Sequence, residues 1–228
     1  MKTLVFDTSS LISLSNSCLL WTLRTLKKEF DVRFAIPPAV KIESVDNALR
    51  NYRWGLGGER IKGLISDGII EVRNPPELRR ITDEILEECN NAFSAKGRPI
   101  KIIHDGEAQA IALCNILDAE TLVVDEKTTR LMVEKPENVQ QNLQSKLHTE
   151  VSMDSEKCRK VRKLFPNLKV IRSTEIVAIA HEEKILSRIC EKCGGKNGNI
   201  FKMCLWSLRF GGCSISSQEI KDYVNMMR

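Results

Sequence analysis

The chain of 228 residues is 42% hydrophobic and 29% charged, with a formal net charge of +5, the balance of a globular protein able to bury a substantial core. It has no run of about 18 apolar residues, which excludes a single-pass membrane helix. Met1-Lys2-Thr3 leads straight into a strand pattern, not into a signal peptide, so the cytoplasm is the expected compartment and no membrane partner is expected.

Residues 3–6 read as a strand that runs out at Asp7, and Asp7-Thr8-Ser9-Ser10 forms a turn with a helix N-cap signal. Leu11, Ile12, Leu14, Leu19, Leu20, Leu23 and Leu26 recur at helical spacing, closed by Arg24, Lys27 and Lys28. Residues 33–36 form a second strand, stopped by Pro37-Pro38, and Ala39 opens a helix carrying Glu43. Gly55, Gly57 and Gly58 predict a flexible loop; residues 61–65 predict a helix and residues 69–72 a short strand before Pro75-Pro76. An amphipathic helix is expected over 78–93 through Ile81, Ile85, Leu86 and Cys89, then a loop over 94–99.

His104 to Cys114 predicts a helix with Glu107 in its first turn and small alanines on the face that meets a sheet. Residues 122–124 are a buried strand with Asp125 where it ends. Residues 130–162 are charged, with weak periodicity, and predict helix plus exposed loop. Residues 168–171 give the last strand, 176–189 a helix, and Ser216-Ser217-Gln218-Glu219 caps a terminal helix over 220–227. Strands alternating with helices indicate an α/β fold with a mostly parallel sheet.

Open parallel sheets bind ligands at the carboxyl ends of their strands. Asp7, Glu43, Glu107 and Asp125 therefore aim at one crevice. Mg²⁺ or Mn²⁺ ions held by such carboxylates can activate water and stabilise a leaving oxygen in phosphodiester cleavage. Taken singly, Asp7 reads as a helix cap, Glu107 as a complement to a helix N-terminus and Asp125 as a turn residue. A dinucleotide fold needs a glycine-rich turn after the first strand, and Asp7-Thr8-Ser9-Ser10 has no glycine. An aspartate-nucleophile phosphatase expects a second acid where Ser9 stands.

The order Phe6-Asp7-Thr8-Ser9-Ser10-Leu11-Ile12, Ile36-Pro37-Pro38-Ala39-Val40 leading to Glu43, Gly106-Glu107-Ala108-Gln109-Ala110-Ile111-Ala112-Leu113, and Leu122-Val123-Val124-Asp125-Glu126 resembles the PIN-domain ribonucleases, in particular the prokaryotic toxin-like branch. The resemblance implies a three-layer α/β/α, Rossmann-like fold and Mg²⁺- or Mn²⁺-dependent cleavage of single-stranded RNA. It further implies metal ligation by Asp7, Glu107 and Asp125, with Glu43 completing the catalytic set and Ser9 supporting it. An antitoxin protein and a homodimer are the partners it suggests, besides RNA. The alternative is a catalytically silent PIN-like module that binds RNA or protein.

The chain is longer than the compact form of this family, with insertions expected around 47–101 and 131–166 of a nuclease domain spanning 1–175. A C-terminal helical extension over 176–228, packed on the same domain, carries the cysteine cluster. Lys157, Arg159, Lys160, Arg162 and Lys163 form a basic cluster suited either to an RNA backbone or to a solvated helix face. Cys190-Glu191-Lys192-Cys193 has the form of half a structural Zn²⁺ site, but Cys204 and Cys213 lack the paired spacing that would complete it.

Overall fold

Short apolar segments, each followed by a polar turn, assemble a five-stranded parallel sheet in the order β3-β2-β1-β6-β8. The strands are β1 (Lys2–Phe6), β2 (Val32–Ile36), β3 (Ile70–Val72), β6 (Thr121–Val123) and β8 (Lys169–Ile171). The computed structural model describes residues 2–164, 168–187 and 197–227. Val5, Phe6, Ala35, Ile36, Leu122 and Val123 are wholly buried, as expected of a sheet covered on both faces. Phe6 and Phe34 meet edge to face with ring centroids 5.6 Å apart, locking β1 to β2.

Helices cover the sheet. α1 (Thr8–Asn16) and α2 (Trp21–Glu29) follow β1, and α3 (Pro38–Lys41) follows β2. α3 continues as a π-helical segment over Ile42–Asn47, and α4 (Gly55–Ser66) leads to β3. α5 (Leu78–Asn90) packs against α6 (Asp105–Ile116), which lies on β1 and β6. The small residues Gly106, Ala108, Ala110 and Ala112 let α6 approach closely and be buried on most of its circumference. α7 (Lys127–Glu134), α8 (Pro136–Leu147) and α9 (Ser155–Leu164) connect β6 to β8. α10 (Ser173–Glu182) leaves β8, and α11 (Asn197–Gly211) packs on α1 and α10 and carries α12 (Ser217–Met226).

Several local expectations change. The leucine run 11–26 is two helices, broken where Cys18 adopts positive φ. Gly55, Gly57 and Gly58 lie inside α4, because the glycines permit close helix approach: a Cβ at Gly58 would sit 3.0 Å from the Ala48 Cβ, and one at Gly57 3.2 Å from the Ser15 hydroxyl. The expected loop over 94–99 is a hairpin of β4 (Phe93–Ala95) and β5 (Arg98–Pro99), turned by Lys96 and Gly97 at positive φ. β7 (Ser152–Met153) extends that hairpin, so residues 93–99 and 152–153, far apart in the sequence, meet in one small antiparallel sheet. Residues 130–162 are mostly helical, buried through Met132, Val133, Val139, Leu143, Cys158 and Val161. Cys204 and Cys213 are buried, whereas Cys190 and Cys193 lie outside the described residues. Among the described residues no helix is long and apolar enough to cross a membrane.

The C-terminal segment is fastened by one buried cation. Arg172 donates to Glu219 at 2.8 Å, to Glu175 at 3.2 Å, to the Tyr223 hydroxyl at 3.2 Å and to the Ser214 carbonyl at 3.3 Å. Burial works against ionising Glu175, yet the Arg172 charge and the Tyr223 hydroxyl hold its carboxyl below the usual range. Removing a buried cation strands its carboxylates. Arg172→Met is therefore expected to lower the free energy of urea unfolding by about 2 kcal/mol, below the value for a fully enclosed pair because Glu219 stays half-exposed. An unfolding curve superimposable on wild type would contradict this role.

Candidate active site

β1 feeds helices that lead outward to β2, whereas β6 leads the other way to β8, so the strand order reverses between β1 and β6. In this register Phe6 lies beside Val123, and the Asp7 N–H donates to the Val123 carbonyl at 2.9 Å. The carboxyl ends of β1, β2, β6 and β8 deliver, respectively, Asp7, the helix bearing Glu43, Asp125, and Ser173.

Asp7 caps α1. Its Oδ2 accepts from the Ser9 N–H at 2.9 Å and from the Ser9 hydroxyl at 2.7 Å. The Ser9 Oγ also accepts the Asp125 N–H at 3.0 Å, so one hydroxyl ties the ends of β1 and β6 together. Ser10, fully buried, donates to the carbonyls of Asp7 or Val123, each 2.9 Å away. Glu43 lies in the first turn of the π-helical segment, a backbone form often found at functional sites. Its Oε2 accepts from the Thr8 hydroxyl at 2.6 Å. Its carboxylate also lies over the start of α6, where a Cβ on Gly106 would come within 2.8 Å of both carboxylate oxygens. A glycine at 106 is what makes room for that carboxylate.

Glu107 closes the first turn of α6, its Oε2 accepting the His104 N–H at 2.6 Å and its Oε1 the Thr129 hydroxyl at 3.4 Å. Two amide side chains fix α6 in place. Asn90 accepts from Ile102 N–H at 2.7 Å and Ile103 N–H at 2.9 Å, and donates to the Ile103 carbonyl at 3.0 Å. Gln109 accepts the Ala39 N–H at 3.0 Å and donates to Asp105 at 2.8 Å, bridging the helix of Glu43 to that of Glu107.

The electrostatics group Asp7, Glu43 and Glu107. Burial raises the Asp7 carboxyl above its ordinary value despite the Ser9 hydrogen bonds, and Glu43 adds to the rise. Glu107 is pushed up to about 7, by burial first and then by the charges of Asp7, Glu126 and Glu43. Asp7 and Glu107 are thus carboxylates held where their own charges are unfavourable.

Asp125 is placed differently. It is wholly buried, and its two oxygens accept from the Ser173 N–H at 2.7 Å and the Ser173 hydroxyl at 2.6 Å. The Cys213 thiol lies beside it and is raised to about 12, by burial first and then by the Asp125 charge. Glu126 caps α7 through the Thr129 N–H at 2.7 Å, and Asp105 faces Arg79 at 3.7 Å. Among the described residues no three Asp, Glu, His or Cys side chains stand close enough together to hold a metal ion directly, because each acid rests on its own donor. The donor chemistry is nevertheless that of a hard cation: carboxylate and hydroxyl oxygens only.

Sequence reasoning singled out Asp7, Glu43, Glu107, Asp125 and Ser9 but missed Gln109, Asn90, Gly106 and Ser173 as the groups that place them. Gln109 and Gly106 flank Glu107 within one short motif and were within reach of the sequence. Ser173 lies 48 positions beyond Asp125, in a stretch without a signal of its own.

A family model described as a PIN domain matches residues 3–137. No curated protein and no solved structure matches the chain. The matched span contains all four acids and Ser9, whereas β8 and Ser173 lie beyond it.

The raised carboxyls fix a pH dependence. Between the unfolded value of 4.5 for Glu107 and its folded value of about 7, the native state binds more protons than the unfolded chain. Stability must then fall as pH rises through that window. In EDTA, the melting temperature is expected to decline from pH 5 to pH 7.5, and Glu107→Gln is expected to flatten the decline and melt higher than wild type at pH 7.5. A Glu107→Gln profile parallel to wild type would contradict the assignment.

Proposed function

The chain belongs to the PIN-domain family, and we propose that it is a divalent-metal-dependent endoribonuclease that cleaves phosphodiester bonds of single-stranded RNA. PIN domains are generally nucleases and typically use divalent metals. Mg²⁺ or Mn²⁺ as the ion and RNA as the substrate are our reading. The observation that carries it is the meeting of Asp7, Glu43 and Glu107 at one end of the sheet, where burial first and the neighbouring carboxylates second push Glu107 up to about 7. A fold that gathers acids at this expense in stability gains most from a bound cation.

In this reading Asp7, Glu43 and Glu107 would hold the ion through its retained waters, since no three of them stand close enough to ligate it directly, and Asp125 supports the same end of the sheet through its backbone contact with Ser9. A divalent cation held there supplies Lewis-acid activation of water and of the scissile phosphate. The chain's own groups do the positioning. Ser9 orients Asp7 through the two bonds to Oδ2, Thr8 orients Glu43, and Gln109 sets the spacing between the two helices. The basic cluster on α9 contributes less free charge than its sequence suggests, because Lys160 lies 3.7 Å from Glu88 and Arg162 pairs with Glu137.

The test is cleavage of a labelled single-stranded RNA with Mn²⁺ or Mg²⁺. EDTA is expected to abolish it, and Asp7→Asn to slow it at least 100-fold, about 2.7 kcal/mol of transition-state stabilisation, with a cooperative melt retained. Gly106→Ala is the more selective probe. Its new Cβ displaces a movable carboxylate, not backbone, so the melting temperature is expected to stay within a few degrees of wild type while the rate falls about 10-fold through the misplaced Glu43. Cleavage undiminished by EDTA or by Asp7→Asn would overturn the reading. RNA binding without cleavage under every metal condition would favour the catalytically silent module.

A further inference from the structure

Beyond the acids, the same helix that carries Glu43 ends in a surface feature that neither the core nor the acidic site uses. Residues 50–54 read Arg-Asn-Tyr-Arg-Trp and connect the π-helical segment to α4. Tyr52 is wholly exposed, with a relative accessibility of 109%, and Trp54 is 39% exposed. The Arg53 guanidinium lies 4.8 Å from the centre of the Trp54 ring. Among the described residues neither Arg50 nor Arg53 forms an ion pair, in a protein whose other arginines commonly do.

The segment is shaped by its own hydrogen bonds. The Asn51 side chain accepts the Arg53 N–H at 2.9 Å, and its carbonyl accepts the N–H groups of Trp54 at 3.0 Å and Gly55 at 2.8 Å. Behind it, α4 is seated on the Glu43 helix through Gly58, whose absent side chain leaves room for the Val45 carbonyl and Ala48. An exposed tyrosine on a turn of this kind gives up little conformational entropy when something stacks on it. At helical rise Arg50, seven residues beyond Glu43, lies on the order of 10 Å from it, and residues 51–54 turn beyond the end of that helix.

We propose that Arg50, Tyr52, Arg53 and Trp54 form a docking platform for single-stranded RNA, which holds the strand a short distance from the acids. This inference rests on the nuclease reading for its choice of polymer. Two observations favour nucleic acid over a protein partner: a Tyr52 ring accessible for base stacking, beside a Trp54 ring already stacked by Arg53, and guanidiniums without a carboxylate partner for phosphate. Stacking on aromatic side chains is tolerant of sequence, and each phosphate contact to a single strand contributes about 0.7 to the slope of log affinity against log salt. The platform therefore gives affinity for unpaired strands with little base preference.

The experiment is fluorescence anisotropy of the full chain with a fluorescein-labelled 12-mer of mixed-sequence RNA, single-stranded or annealed to its complement, in EDTA so that binding is read without cleavage. Tyr52→Ala is expected to weaken single-strand binding about 10-fold and to leave duplex binding unchanged. Tyr52→Phe, which keeps the ring, is expected to retain wild-type affinity. Arg50→Gln combined with Arg53→Gln is expected to lower the salt slope by roughly 1.4. Tyr52 is solvent-exposed, so an unchanged melting temperature is expected of both Tyr52 variants.

Wild-type affinity in Tyr52→Ala and Trp54→Ala, or failure of the wild-type chain to bind the single strand, overturns the platform. An unchanged RNA affinity with a smaller sedimenting species in Tyr52→Ala overturns it in favour of a contact between protein chains. If Tyr52→Ala loses RNA binding while no metal condition gives cleavage, the platform stands and the nuclease reading falls.

Discussion

Placing carboxylates within one another's field at the carboxyl end of a parallel sheet is the constraint on which the rest of this structure depends. The fold enforces it, because Asp7 ends β1 and caps α1, Glu43 rides the helix that follows β2, and Glu107 opens α6, which lies on β1. Like charges so placed must either lose a proton's worth of freedom or be given separate donors. Here both happen. Glu107 is raised to about 7, and Asp7, Glu43, Glu107 and Asp125 each accept from a different partner: Ser9, Thr8, His104 and Ser173.

Much of the surrounding architecture serves that arrangement. Gln109 and Asn90 clamp the start of α6, Gly106 clears space for Glu43, and the π-helical segment sets the face on which Glu43 emerges. The C-terminal segment takes part as well. Ser173 holds the Asp125 carboxylate, while its neighbour Arg172 fastens the terminal helix through Glu219 and Tyr223. The end of the chain is thereby coupled to an acid at the centre of the sheet.

The order of strands and acids was legible in the sequence because β1, β2 and β6 are short apolar runs that stop at or just before Asp7, Pro37 and Asp125. The four acids could be named, but the direction of the Asp125 carboxylate could not. That direction depends on Ser173, and nothing between the two residues foretells their meeting. Gly55, Gly57 and Gly58 misled because the propensity of glycine for loops was outweighed by close packing of α4 on Ser15 and Ala48. The hairpin over 93–99 was hidden for a similar reason: two- and three-residue strands carry too few side chains to show alternation. Tyr52 and Trp54 could be counted in the sequence, but only the structure shows that the first is entirely outside the core.

The central claim is that the acids form one electrostatically strained cluster suited to a divalent cation. Its most direct test is a carbon-13 NMR titration of the Glu107 carboxyl, assigned by comparison with Glu107→Gln, first in EDTA and then in Mg²⁺. The account predicts a midpoint near 7 in EDTA that drops by two or more units when Mg²⁺ is added. A midpoint at the ordinary glutamate value in EDTA, unmoved by Mg²⁺, would contradict it.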